Sequence, residues 1–280
     1  MKELSDSQLA AMAHTLDNIA ELYRKTANYL KALSIFNKTL ILREEILGLE
    51  HRDTATSYNH IGSVYDDTGD QDKALEYYHK ALEIREKVMG LEHPDTATSC
   101  NNMGLVYRNK GDYKIALEYC KIALEIRKKI LGVKNPDTAI SYNTVGNVYR
   151  NTGDNKIAME YYNKALEIFK KILGLEHPDM ANSYDNIGNV YNDTGESNKA
   201  LEYHTKALEI RKKVLGLEHP STALSYNTIG SIYYNTGESA KALEYCTKAL
   251  EIFEKVLEKE HPNTKADLEN IELISKKISI

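Results

Sequence analysis

The chain contains no tryptophan, three phenylalanines, three cysteines and five prolines in 280 residues. An odd cysteine count without CxxC spacing (Cys100, Cys120 and Cys246) indicates neither a disulfide framework nor a zinc site. No apolar run approaches the roughly 18 residues of a transmembrane helix, and the first residues hold no stretch apolar enough for a signal peptide, so a cytoplasmic protein without a membrane partner is expected. Basic residues are not in excess: 36 Lys and Arg against 41 Asp and Glu leave a net charge of −5. Nucleic-acid binding is therefore not expected, because phosphate recognition shows as a basic surplus. A phosphate-cradling glycine loop, a nucleophile elbow and a His–Glu pair at zinc spacing are missing too. The expectation is a non-enzyme with no catalytic residue, no cofactor and no metal.

What the sequence has instead is 20 tyrosines and a period. Gly62, Gly104, Gly146, Gly188 and Gly230 recur every 42 residues, each inside a phrase that first reads Ser57-Tyr-Asn-His-Ile-Gly-Ser-Val-Tyr65. A fixed period of about 20 to 50 residues marks supersecondary units that bury their apolar faces only against their neighbours.

Residues 51–92 show one unit. Ala55, Tyr58, Ile61, Gly62 and Tyr65 are three or four apart and share one face of a first helix, expected over Thr54 to Asp67. Thr68-Gly-Asp70 breaks the pattern, and a second helix is expected from about Gln71 to Met89, with Ala74, Leu75, Tyr78, Ala81 and Leu82 inward. Gly90 stands where a C-terminal cap belongs, and Pro94 opens the next unit, as Pro136, Pro178, Pro220 and Pro262 open later ones. Alanine columns at Ala74, Ala116, Ala158, Ala200 and Ala242, and at Ala81 and its equivalents, allow close helix approach. The spacing predicts repeats at 9–50, 51–92, 93–134, 135–176, 177–218 and 219–260, a tail over 1–8, and a capping helix over 261–280 with Lys265, Glu269, Glu272, Lys276 and Lys277 outward.

Tyr58, Ile61, Gly62, Tyr65, Ala74, Tyr78 and Ala81 match the spacing of the tetratricopeptide repeat, and Leu16, Ile19, Ala20, Tyr23, Ala32 and Phe36 form a degenerate first copy. The lengthened second helix and the Gly-Leu-Glu-His-Pro linker resemble the repeats of kinesin light chains, although no heptad run precedes residue 9. The resemblance implies an all-α, right-handed superhelical solenoid of antiparallel helix pairs, and an adaptor or scaffold that binds an extended peptide of a partner protein in a concave groove.

In that family the groove is lined by first-helix positions three before and one after the glycine, flanked by those six before and four after. The first column reads Asp17, Asn59, Asn101, Asn143, Asp185, Asn227. The second reads Glu21, Ser63, Leu105, Asn147, Asn189, Ser231, and the flank four after reads Arg24, Asp66, Arg108, Arg150, Asn192, Tyr234. Amides both donate and accept, which suits a peptide backbone of any sequence, and these side chains are expected to point away from the second helix. Leu105 supplies an apolar island, and Arg108 with Arg150 supplies cations, so the expected ligand carries an acidic or phosphorylated residue beside an apolar one. A chaperone-adaptor carboxylate clamp would need lysine where Asn59 or Asn101 stands.

Other candidates read as scaffold. His204 shares the column of Tyr78 and Tyr162, as do Cys120 and Cys246, while Cys100 replaces Tyr58. His51, His93, His177, His219 and His261 lie a repeat apart and do not converge on a metal. A monomer is expected; the alternative is a structural solenoid that stacks end to end, since near-identical repeats make each terminus resemble an internal interface.

Overall fold

Proline at the start of a first helix and glycine at the end of a second one punctuate the structure as they punctuate the sequence. The computed structural model describes residues 5–174, 176–256 and 262–278, and among them thirteen α-helices and no strand. Contacts divide the chain into two units, 1–133 and 134–280. The first holds α1 (Asp6–Lys25), α2 (Tyr29–Leu47), α3 (Arg52–Asp67), α4 (Gln71–Met89), α5 (Pro94–Lys110) and α6 (Tyr113–Leu131). The second holds α7 (Pro136–Asn151), α8 (Asn155–Ile172), α9 (Pro178–Asp193), α10 (Ser197–Val214), α11 (Pro220–Asn235), α12 (Ser239–Val256) and α13 (Pro262–Ile278). Within each unit a helix packs most extensively on its pair partner. The second helix of a pair also packs on the first of the next, and first helices touch directly, α3 on α5 and α7 on α9. No helix among the described residues is long and apolar enough to cross a membrane.

The linker histidines have a local task that spacing alone did not reveal. His51, His93, His177 and His219 are N-caps, each accepting through Nδ1 the backbone N–H two residues on, at 3.1 to 3.2 Å. Asn135 does the same with its side-chain oxygen at 2.8 Å. Each cap satisfies one of the orphan N–H groups that a helix start leaves; His261 lies outside the described residues. Helix α1 reaches back to Asp6, into the stretch expected as a tail, because Ser5 and Gln8 form a reciprocal capping box.

Packing explains the invariant glycine of the period. A Cβ on Gly146 would sit 2.6 Å from the Tyr162 ring and one on Gly188 would sit 2.8 Å from His204 Nε2, so the second helix lies against the bare backbone of the first. Ala74, Ala116, Ala158, Ala200 and Ala242 have no exposed surface. Tyrosines fill the wider gaps, as where Tyr65 stacks on Tyr77 and Tyr149 on Tyr161. Cys100, Cys120 and Cys246 are buried free thiols. At the far end Ile271 and Ile274 of α13 pack on Ala242 and Cys246. Lys265, Glu269, Glu272 and Lys276 face outward, but so do Leu268 and Leu273, and the side chain of Lys277 lies outside the described set.

Candidate functional site

Where two first helices run side by side, the strip between them collects side chains spaced three and four apart on each. In the second unit this strip is a cleft of about 400 Å³ between α7 and α9. Helix α7 contributes Ile140, Asn143, Thr144 and Asn147, and helix α9 contributes Asn182, Asp185 and Asn186, above Phe169 of α8. The expected residues Asn143, Asn147 and Asp185 thus lie together. Asn186 and Thr144, two before the glycine, were missed; they follow the six-before positions Asn182 and Ile140 by one helical turn, so the i, i+4 rule applied to the flank would have found them.

The three expected residues differ in availability. Asn143 donates to Ser183 Oγ at 3.1 Å, while its side-chain oxygen is buried with no hydrogen-bond partner among the described residues. Asn147 accepts from the Tyr162 hydroxyl at 2.7 Å, so it does not point away from the second helix but is anchored to it. Asp185 is neutralised: His204 Nδ1 lies 2.8 Å from one oxygen and Arg211 Nη1 lies 2.5 Å from the other. The negative charge of Asp185, a member of the expected groove column, is balanced inside the fold. Arg211 continues to Ser225 Oγ (2.6 Å) and Asn182 Oδ1 (2.9 Å). His204 is a 1% exposed core residue, in keeping with its place in the tyrosine column.

Arg150, expected as a free cation, is tied at 2.6 Å to Asp193. Asn189 and Asn227 are half-buried on α9 and α11.

In the first unit the same columns give Asn59 and Ser63 on α3 and Asn101, Leu105 and Arg108 on α5. Asn59 Oδ1 accepts from Asn102 Nδ2 at 3.1 Å, a bridge between the two first helices. Ser63 donates to the Asn59 carbonyl and accepts from Tyr78, at 3.0 and 3.1 Å, which ties it to the second helix as Asn147 is tied. Asn101 is only 8% exposed. Leu105 and Arg108 are half-buried, and Arg108 donates to its neighbour Asn109 at 3.1 Å.

At the start of the unit Asp17 is a buried partner of Arg43 at 2.7 Å and accepts from Thr39 at 2.9 Å. Arg24 bonds Glu21 and Asp67, which holds the Glu21 carboxyl below its usual range, chiefly through the Arg24 hydrogen bond. His60 lies 3.8 Å from Asp17, and burial pushes its pKa down. The arrangement is suited to holding polar main chain and offers no reacting group; among the described residues no cluster of His, Cys, Asp and Glu could hold a metal ion.

The tetratricopeptide repeat family matches residues 9–87, 72–118, 95–171, 144–213, 179–255 and 221–273. Solved structures of similar fold include BtubC (BKLC) from P. vanneervenii, 21% identical with a TM-score of 0.63 over 86% of this chain and 94% of that one. A putative kinesin light chain of Podosopora anserina with nearly identical TPR-like repeats is 24% identical, with a TM-score of 0.59 over 75% of this chain and 99% of that one. A Rap protein complexed with Competence and Sporulation Factor is 16% identical, with a TM-score of 0.67 over 99% of this chain and 78% of that one. At these identities the likeness is one of fold. No curated protein is significantly similar.

Proposed function

Because the chain belongs to the tetratricopeptide repeat family, whose repeats are non-catalytic protein–protein interaction modules, we propose that it binds an extended segment of a partner protein along its first helices. The observation that carries this reading is the amide-lined cleft between α7 and α9, where Asn143, Asn182 and Asn186 stand on neighbouring helices. Two rows of donors and acceptors facing one another meet both edges of an extended backbone. The Rap protein complexed with Competence and Sporulation Factor supports such use of the fold.

The segment carries an acidic residue beside an apolar one. Arg108 lies within salt-bridge distance of no carboxylate among the described residues, Asp66 acting on it only from farther off, and Leu105 lies one helical turn away, which supports that pairing in the first unit. The protein acts as a cytoplasmic monomer.

The test is a pull-down from the native cell, followed by titration of the recovered partner segment. Asn143→Ala with Asn186→Ala is expected to weaken binding by about 1 kcal/mol or more per lost hydrogen bond. Unchanged affinity in the double variant would remove the site from this face.

A further inference from the structure

Arg43, Arg85, Arg127 and Arg211 stand at one position of their second helices, each with the same spacing from the residue three before the glycine of its own repeat, and of the four Arg127, which is paired in this column with Asn101, is only half-buried. Two of them meet a carboxylate there: Arg43 lies 2.7 Å from Asp17 and Arg211 lies 2.5 Å from Asp185. In the second repeat that residue is Asn59. Arg85 is nevertheless as deeply placed as Arg43, 4% against 2% exposed.

Its Nη1 donates to Ser99 Oγ at 2.7 Å and to the Asp95 carbonyl at 3.0 Å, and its Nε has no hydrogen-bond partner among the described residues. No carboxylate among them lies within ion-pair distance; Asp95 acts on it only from farther off. Asn59 turns its oxygen to Asn102 instead. A buried guanidinium without a counter-ion carries an uncompensated desolvation cost, which a carboxylate supplied from outside would relieve.

We propose that Arg85 receives a carboxylate from an acidic side chain of the bound partner segment, which takes the place that Asp17 and Asp185 fill in the first and fifth repeats. The carboxylate enters over α3 and α5 by displacing the Asn59–Asn102 bridge, whose two residues are half-buried rather than sealed. A carboxylate fits better than a phosphate because the gap differs from its filled counterparts by one amide in place of one carboxyl group. This inference rests on the groove reading above and names the chemistry of one contact within it.

The test uses the full chain and acetylated, amidated tetraglutamate as probe, followed by titration calorimetry and melting temperature at matched ionic strength, with inorganic phosphate as a second arm. Wild type is expected to bind the probe saturably. Asn59→Asp supplies the missing acid internally, so it should bind the probe at least tenfold more weakly and melt higher. Asn163→Asp makes the same charge change at an exposed helical position and should bind as wild type does. Arg85→Met keeps the test decisive if Asn59→Asp does not fold, because it too should lose the probe. Undiminished binding in Asn59→Asp or Arg85→Met overturns the proposal, as does a wild type that responds no more than to sodium chloride, or that binds phosphate as well as tetraglutamate. A wild type that binds its partner segment yet ignores tetraglutamate removes the Arg85 contact and leaves the groove standing; loss of the partner in the Asn143 and Asn186 variants with tetraglutamate binding retained bears on the partner's register and leaves Arg85 supported.

Discussion

The Tyr162 hydroxyl donates a 2.7 Å hydrogen bond to Asn147, so an amide of the α7–α9 cleft is held in place from the second helix of its own pair. Tyr162→Phe removes the donor while keeping the ring. The expected outcome is a stability loss of about 1 kcal/mol in denaturant unfolding, together with weaker binding of the partner segment. A variant equally stable and equally tight would show that this bond does not position the amide.

Gly146→Ala places a methyl group 2.6 Å from the same ring, which is buried on all sides. Overpacking of this kind costs about 1–3 kcal/mol. Gly62→Ala meets Tyr78 at 2.9 Å and should cost less. Urea unfolding of both variants checks the order; Gly62→Ala emerging as the worse of the two would contradict the packing argument.

Most of this architecture was legible because it is periodic. The positions of Gly69, Gly90 and Pro94 are enough to place both helices of a repeat, since φ freedom and a missing N–H act locally. The groove was only partly legible. A helical column gives direction but not reach: Asn147 and Ser63 bond to second-helix tyrosines, Asp185 meets Arg211, and Arg150 meets Asp193, all through partners far away in sequence. The capping role of His51 and His93 was hidden for a different reason, because a histidine two residues before an aspartate reads equally well as an ordinary polar linker.

His60 gives the first unit a pH response. Burial lowers its pKa, against the opposing pull of Asp17 at 3.8 Å and of Glu21, while Arg43 and Arg85 add to the lowering and Phe36 packs at 4.9 Å. Since the unfolded chain holds the proton to higher pH, near 6.5 for free histidine, the stabilisation is fully present above that value and is lost as pH falls toward the folded-state value. Melting curves from pH 7 to pH 5 should fall more steeply for wild type than for His60→Gln. Parallel curves would assign the acid sensitivity to other groups.

Burial pushes the Cys100 thiol up to about 11 and the Cys120 thiol up to about 12. Since the thiolate is the reactive form, both should ignore dithiobisnitrobenzoate at pH 8 in the native protein and react fully in denaturant. Rapid labelling of either without unfolding would mean that α5 and α6 open locally.

The outward Leu268 and Leu273 bear on assembly. If the chain is a monomer, sedimentation should be independent of concentration, and Leu268→Lys with Leu273→Lys should leave it unchanged. A wild-type species that grows with concentration and is dispersed by these substitutions would favour end-to-end stacking instead.

Two acid–arginine pairs sit wholly inside single periods, Asp17 with Arg43 in the first and Asp185 with Arg211 in the fifth, whereas Arg24–Asp67 and Arg150–Asp193 reach from one period into the next; at the positions of the first two pairs Asn59 accompanies Arg85, Asn101 accompanies Arg127, Asn143 accompanies Phe169 and Asn227 accompanies Phe253. Copying or deleting the first or the fifth period therefore moves its acid together with its arginine, and neither of those two charges is stranded. A crossover falling in the tight turn between the two helices of one period would instead combine the acid of one copy with the phenylalanine of another. Gene rearrangement and protein engineering thus meet the same grammar, in which the linker before each first helix is the tolerated cut and the turn after it is the forbidden one.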